Sequence, residues 1–184
     1  MKKFILFLLL LILAVTHTYT AKKTFAKYGS NLDKKSSIVS LSIHPLSKLN
    51  ITDADLNINL SGTEAQTAYD TGYVDGDINK PILTVCANTD WRLIVKIAIK
   101  WNHVNGYKKE DGDLQLKVVS SSGHQTGFSS FTPLSKSNQE IAVNTSGANN
   151  ETYNCQYRIL LDWEKDIPGT YTCTLKYTLT TLGS

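Results

Sequence analysis

The stretch Gly169-Thr170-Tyr171-Thr172-Cys173-Thr174-Leu175-Lys176-Tyr177-Thr178-Leu179-Thr180 alternates strictly between two kinds of residue. Tyr171, Cys173, Leu175, Tyr177 and Leu179 share one face, and every residue between them is Thr or Lys. A period of two, with aromatic and β-branched residues throughout, is typical of a half-buried β-strand. The segment therefore predicts that the chain closes on a strand of a layered β-structure.

Similar alternation recurs along the chain, at 38–44, 55–60, 82–86, 91–101, 114–120 and 153–163, with shorter candidates at 67–74 and 140–144. In the segment 91–101, the high content of β-branched and aromatic residues favours a strand over a helix. Its inward row is Trp91, Leu93, Val95, Ile97, Ile99 and Trp101. We expect the segment 153–163 to place Trp163 inward. The closing strand either completes the sandwich against 153–163, in a hairpin about the turn 164–168, or lies at an edge where another chain could add.

This pattern predicts an all-β protein, an antiparallel β-sandwich of about 7–9 strands with an immunoglobulin-like general architecture. A closed barrel is the alternative. We expect no amphipathic helix beyond the N-terminal apolar run, because the polar stretch 61–80 contains three glycines and at most one short strand.

The N-terminus carries Lys2 and Lys3, then an apolar run from Phe4 to Val15, then small and polar residues up to Ala21. This order is typical of a secretory signal. Twelve apolar residues rise about 18 Å as a helix, against a hydrocarbon core of about 30 Å. We therefore predict a signal peptide at residues 1–21, a secreted or cell-surface protein, and no transmembrane anchor after the signal is removed.

The charge of the chain is unevenly distributed. Residues 22–35 hold five lysines and one acid, and the remainder from Ser36 onward holds 12 basic and 15 acidic residues. We predict a basic flexible stub at 22–35 and a single β-sandwich domain at 36–184. A mildly acidic body is a poor match for nucleic acid, which usually requires a basic face.

The string Asp166-Ile167-Pro168-Gly169-Thr170-Tyr171-Thr172-Cys173 resembles the Asp-x-Gly-x-Tyr-x-Cys corner of immunoglobulin domains. This resemblance implies a receptor-like domain in which Cys86 and Trp101 serve as the other cysteine and the core tryptophan. One extra residue separates Asp166 from Gly169, and only eleven residues follow Cys173.

A second resemblance covers Pro81 to Val95 and Asp162 to Thr180. The string Asn88-Thr89-Asp90-Trp91-Arg92-Leu93 is similar to an element of bacterial surface β-sandwiches of the WxL type, which also close with a Pro-Gly-Thr-Tyr turn and a Thr-rich strand. The resemblance implies non-covalent attachment to the cell wall. The second Trp-x-Leu motif is absent, because Glu164 and Lys165 follow Trp163.

Three cysteines, Cys86, Cys155 and Cys173, are an odd number for an exported chain. One disulfide and one free thiol is the simplest account. In the predicted hairpin, Cys155 and Cys173 are offset by five residues, which exceeds the span of a disulfide. We therefore expect Cys86 to pair with Cys155 or Cys173, and three reduced thiols are the alternative.

Two groups of residues are candidate binding sites. Asp75, Asp77 and Asn79 offer oxygen ligands at alternate positions, as in a calcium loop, but the glycine and bidentate glutamate of the EF-hand pattern are missing. Arg92, Lys96 and Lys100 form a basic row on the outward face of 91–101, which is a candidate surface for an anionic ligand. We predict no catalytic residues, no cofactor and no other metal site.

These observations favour an exported, non-catalytic β-sandwich with an adhesive, structural or assembly role at the cell envelope. Its expected partners are an envelope polymer or another surface protein, together with self-assembly through edge strands. A secreted carbohydrate-binding or hydrolytic domain and an immunoglobulin-like receptor domain are the alternatives.

Overall fold

The structure is a computed structural model that describes residues 39–103, 105–106 and 109–182. The predicted signal at 1–21 and the stub at 22–35 lie outside the described residues. The chain divides after His44 into two units. Of the first unit, residues 39–44 are described, and they have no regular secondary structure although the alternation of 38–44 predicted a strand. The second unit, from Pro45 onward, is described below.

Two antiparallel sheets account for the strands of this unit. The larger sheet has the order β1 (Ser47–Thr52), β3 (Ile82–Ala87), β8 (Ala148–Leu160), β5 (Leu114–Ser121) and β6 (Thr132–Pro133), and the short β2 (Tyr73–Asp75) pairs with the C-terminal end of β8. The smaller sheet has the order β7 (Gln139–Asn144), β4 (Trp91–His103) and β9 (Tyr171–Thr181). The predicted all-β antiparallel sandwich is confirmed.

The core lies where the inward rows of both sheets meet. Strict alternation places one row of each strand inward, and β4 contributes Trp91, Leu93, Val95 and Ile97, all at most 3% exposed. Opposite them lie Leu83 and Val85 of β3, Leu116 of β5, and Tyr153, Cys155 and Tyr157 of β8. Complete burial of a large apolar side chain stabilises the fold by about 1.5 to 3 kcal/mol, so this row dominates the stability of the sandwich.

The closing segment forms a strand, β9, as predicted. Its neighbour is β4 and not β8. It pairs with β4 in the smaller sheet, from Trp91↔Thr181 to His103↔Tyr171, while β8 is the centre of the larger sheet. The hairpin between 153–163 and 169–180 therefore does not form, and among the described strands β9 lies at an edge of its sheet, which is the other arrangement that the sequence left open. Chain continuity allowed either pairing, and in both of them the inward row of β9 faces the opposite sheet, so alternation alone does not distinguish them. Tyr157 and Tyr177 join the two strands across the core, with 2.6 Å between their hydroxyl oxygens.

One helix was not expected. Helix α1 spans Gly62–Thr71 and ends at Gly72, whose φ of 83° and N–H bonds to the carbonyls of Ala68 and Tyr69 complete a left-handed cap. None of its residues is fully buried, so its sequence lacks the apolar stripe by which helices are recognised. A short 3-10 helix at Asp111–Asp113 precedes β5.

Three further expectations are corrected. Residues 55–60 form no strand, although Leu56, Ile58 and Leu60 are half-buried in alternation. Ile99 is 62% exposed because β-bulges on either side of it shift the β4–β9 register and place it opposite Thr174. Trp163 is 61% exposed because β8 ends at Leu160, and its ring lies 4.7 Å from that of Tyr69 on α1.

Candidate functional site

The outer face of the smaller sheet carries a group of basic side chains. Alternation in the first part of β4 turns Arg92 and Lys96 away from the buried row, and Lys100 is exposed beside the bulges at Ile99. These are the three residues that the sequence predicted as a candidate surface for an anionic ligand. The structure places all of them on the solvent side of one strand, where their side chains can reach a ligand.

The register of β9 adds a fourth basic residue. Lys176 lies directly opposite Lys96, with Thr178 opposite Ile94 and Thr180 opposite Arg92. Two like charges opposed across a sheet repel each other and reduce its stability. Among the described residues, no acidic side chain forms a salt bridge with Lys96 or Lys176, so the repulsion is not offset locally.

Lys136, on the loop that follows β6, is a fifth basic residue near this face. The N–H of Ile97 donates to the carbonyl oxygen of Ser135 over 2.8 Å, which holds this loop against the edge of β4. There the close contact of the Lys100 ammonium lowers the pKa of Lys136, with desolvation as a second cause. Lys136 also lies 3.9 Å from a carboxylate oxygen of Asp111. We define the basic face as Arg92, Lys96, Lys100, Lys136 and Lys176.

At one end of the basic face, the charge is compensated. Arg92 Nε lies 3.0 Å from Glu140 Oε2, and the Thr126 hydroxyl donates to the other oxygen of Glu140 over 2.8 Å. An open depression of about 260 Å³ adjoins this pair and is lined by Arg92, Ile94, Asn138, Glu140, Thr180 and Leu182. Since Arg92 and Lys136 each have an acidic partner, the charge of the face that has no salt bridge among the described residues lies on Lys96, Lys100 and Lys176.

This arrangement suits the recognition of anionic groups. Each lysine ammonium is a flexible point charge with three donors, so it tolerates a range of phosphate, sulfate or carboxylate positions. The threonine hydroxyls that alternate with Lys176 along β9 supply further donors on the same face. The basic residues are spread along two paired strands and a loop, which favours a chain of anionic groups over a single small molecule.

The sequence alone pointed to three residues of this face and missed Lys136 and Lys176. Lys176 carried a weak signal, because it is the only charged residue in the outward row of 169–180. Its position opposite Lys96 depends on the pairing of β9 with β4, which cannot be read from either strand. Lys136 carried no signal, since it reaches the face through a loop.

Two of the calcium candidates, Asp75 and Asp77, form ion pairs with basic side chains. Asp75 forms two hydrogen bonds with Arg158, of 2.7 and 2.9 Å, and Asp77 pairs with Lys80 over 2.8 Å. Asn79 has a left-handed backbone with φ of 66°. Within the described ranges, no group of three or more His, Cys, Asp or Glu residues could hold a metal ion.

All three cysteines are free thiols in the structure, so the expected disulfide from Cys86 to Cys155 or Cys173 is absent. The cysteine side chains of β3 and β8 lie on opposite faces of the larger sheet. Cys86 is partly exposed, and its thiol contacts Asn150 Oδ1 over 3.1 Å, whereas Cys155 lies in the core on the opposite face of the same sheet. Burial raises the pKa of Cys155 to about 12 and that of Cys173 to about 11, which keeps both thiols protonated and unreactive at neutral pH.

The corner that resembles an immunoglobulin domain has a structural role. The Tyr171 hydroxyl donates to the carbonyl of Ile167 and accepts from its N–H, as in a tyrosine corner. Beside it, Lys109 and Asp166 form an ion pair whose side chains are 4% and 6% exposed. These contacts fix the start of β9. The disulfide that a receptor-like immunoglobulin domain would need between Cys86 and Cys173 is missing.

Comparison with known proteins gives no family. No family model matches the chain, and no curated protein matches it. Among solved structures, a family 123 glycoside hydrolase from Clostridium perfringens, described in a structural analysis of glycolipid glycan hydrolysis, aligns with 12% identity and a TM-score of 0.36. The alignment covers 75% of this chain and 25% of that chain, so this chain spans about a quarter of that structure's length. Neither fold nor activity is inferred from a similarity of this degree.

In the part of the chain that the structure describes, no helix has the length and apolar character needed to cross a membrane.

Proposed function

We propose that this protein is an exported, non-catalytic β-sandwich that attaches to an anionic polymer of the cell envelope through the basic face. The observation that carries the proposal is the pair of opposed lysines, Lys96 and Lys176, with Lys100 and Lys136 close beside them. A body with more acids than bases from Ser36 onward concentrates four lysines on one face of its smaller sheet.

The repulsion among these lysines supports a binding role. Like charges on neighbouring strands cost stability in the free protein. An anionic polymer lying across the sheet neutralises them, so the cost becomes a favourable contribution to binding. The same reasoning predicts that binding weakens as salt concentration rises, because the contacts are exposed to solvent and screened.

The predicted signal supports the location of the partner outside the cytoplasm. The WxL-type resemblance of 88–93 is consistent with an envelope polymer, and the outward row at the basic face supplies a recognition surface that does not require the missing second motif.

Binding to immobilised polyphosphate and polygalacturonate, with neutral dextran as reference, tests the proposal. The chain from Lys22 onward should bind both anionic polymers at low salt and should not bind dextran. The double variant Lys96→Glu/Lys176→Glu should bind about tenfold more weakly, because two exposed ionic contacts, each worth up to about 1 kcal/mol, are lost.

The matched control is Lys48→Glu/Lys117→Glu, which reverses the same number of charges on the outer face of the larger sheet. It should retain most of the binding. Equal losses in both double variants would indicate an effect of net charge alone and would contradict a specific site. Salt-independent binding to dextran would instead favour the alternative of a carbohydrate-binding or hydrolytic domain.

A further inference from the structure

The open depression at the Arg92 end of the basic face combines apolar and polar side chains. Its volume is about 260 Å³, below the roughly 300 to 1,000 Å³ of sites that enclose a drug-sized molecule, so it suits one small ring. Ile94 and Leu182 contribute its apolar part, and both are half-buried. Leu182 is held in place by its N–H, which donates to the carbonyl oxygen of Asp90 over 2.8 Å.

A β-bulge builds one wall of the depression. Ile141 and Ala142 are consecutive in β7 and both are completely buried, and the β4–β7 register shifts between Leu93 and Ile94. The extra residue of the bulge places Glu140 directly opposite Ile94, beside Arg92. Bulges often occur beside active sites, where they re-aim a side chain.

The polar side chains of the depression retain hydrogen-bonding groups that the protein does not use. Arg92 and Glu140 compensate each other's charge, with 3.0 Å between Nε and Oε2. The two Nη groups of Arg92, the Asn138 amide and the Thr180 hydroxyl form no hydrogen bond with another described residue. Together these side chains offer donors and acceptors without net charge. A ligand group with several hydroxyls and no charge of its own matches this set.

We propose that the depression binds a neutral sugar ring of the polymer whose anionic groups lie on the lysines of the basic face, so the inference rests on the proposed function. The C–H groups of the ring pack on Ile94 and Leu182. The ring hydroxyls form hydrogen bonds with Arg92, Asn138 and Thr180. The proposed ligand is therefore an anionic glycan rather than a bare polyphosphate.

The spacing along β4 agrees with an extended ligand. Arg92 and Lys96 are four residues apart on one strand, which corresponds to about 14 Å at roughly 3.4 Å per residue. A ligand that occupies the depression and also reaches the opposed Lys96 and Lys176 must span this distance. A polymer with rings and anionic groups in its chain spans it, and a single sugar does not.

Binding of the chain from Lys22 onward to half-methyl-esterified polygalacturonate and to polyphosphate, at matched concentrations of anionic groups, tests the inference. The first polymer contains both neutral and carboxylated rings. The variant Asn138→Ala/Thr180→Val keeps the net charge and changes two exposed side chains of the depression. It should bind the esterified polymer about tenfold more weakly than the parent, because two hydrogen bonds are lost, and should bind polyphosphate as the parent does.

The matched control is Asn57→Ala/Thr63→Val, which makes the same exchanges at two exposed positions outside the depression. It should leave the affinity for both polymers unchanged. Equal weakening of the depression variant towards both polymers, or no weakening towards the esterified polymer, overturns the inference and leaves the anion-binding proposal standing.

A second measurement separates the ring from the charge. In the variant Lys96→Glu/Lys176→Glu, methyl-esterified trigalacturonate should shift the backbone amide NMR signals of Asn138, Thr180 and Leu182 at about millimolar concentration, which is too weak for retention on the dextran reference. Absence of these shifts overturns the inference. Failure of the parent to bind polyphosphate at low salt, with the shifts present, overturns the proposed anionic contacts and leaves the ring site supported.

Discussion

Basic side chains on the outer faces of the two sheets have opposite surroundings: one is paired with an acid, and the others lie beside further lysines. On the larger sheet, Arg158 is held by two hydrogen bonds to Asp75, and its guanidinium lies between the rings of Tyr73 and Phe131, at 3.7 and 3.9 Å from their centroids. On the smaller sheet, Lys96 faces Lys176 and Lys100 lies beside Lys136. The first arrangement contributes to folding, while the second opposes it. Solvent-exposed lysines whose mutual repulsion reduces stability indicate a binding role.

The largest expected difference between the two faces is in their contribution to stability. Arg158→Met should lower the free energy of unfolding by about 2 kcal/mol, because it removes two charge-assisted hydrogen bonds and leaves the Asp75 carboxylate without its partner. Chemical denaturation measures this value. Lys96→Met, the matched change on the smaller sheet, should shift it by no more than about 0.5 kcal/mol. Equal losses in the two variants would remove the distinction between the faces.

A smaller effect, of opposite sign, is expected on the smaller sheet. Lys176→Glu places a carboxylate opposite Lys96 and should raise the free energy of unfolding by roughly 0.2 to 1 kcal/mol, since an opposed ion pair replaces an opposed like-charged pair. The same variant should bind polyphosphate more weakly than the parent.

The control for this change is Lys48→Glu on β1, where the opposite residue is Cys86. It reverses the same charge without creating a cross-strand ion pair. If both variants gained the same stability, the effect would come from net charge rather than from the opposed lysines.

The smallest expected effect is on the titration of Lys136. Because the nearby Lys100 ammonium lowers its pKa in the folded state, the folded protein releases this proton at a lower pH than the unfolded chain. Stability should therefore increase slightly as pH rises from the folded pKa towards the ordinary lysine value. Titration of the lysine side-chain signals by NMR should show the pKa of Lys136 rising in Lys100→Ala.

Lys117→Ala, on the larger sheet, is the control and should leave the titration of Lys136 unchanged. A Lys136 pKa that stays in place in Lys100→Ala would contradict the close contact between the two ammonium groups, and with it the geometry of this end of the basic face.

The strands were predictable where alternation alone defines them. The inward residues of 91–97 and 171–179 follow from a period of two, and the structure confirms their facing. The helix α1 was not predictable from amphipathicity, because it buries none of its residues completely and is fixed by its cap at Gly72. Ile99 and Trp163 depart from the expected facing at bulges and at a strand end, which depend on neighbouring strands.

The candidate site was predictable only in part, for the same reason. Arg92, Lys96 and Lys100 share one face of one strand, so their grouping is a local property of the sequence. Lys176 and Lys136 join them through a β-pairing and a loop contact, and neither is encoded in the spacing of residues along the chain. The thiols of Cys86 and Cys155 show the converse, since strand facing separates two residues that a disulfide argument placed together.

The sequence by itself determined that this protein is built from half-buried strands, because a side-chain period of two is fixed by the backbone of each strand. Tertiary structure decided which strands are neighbours. The pairing of β9 with β4 rather than β8 joins segments that are distant in sequence, so the residue spacing within either strand does not encode it. That pairing places Lys176 opposite Lys96, and the proposed binding face depends on it.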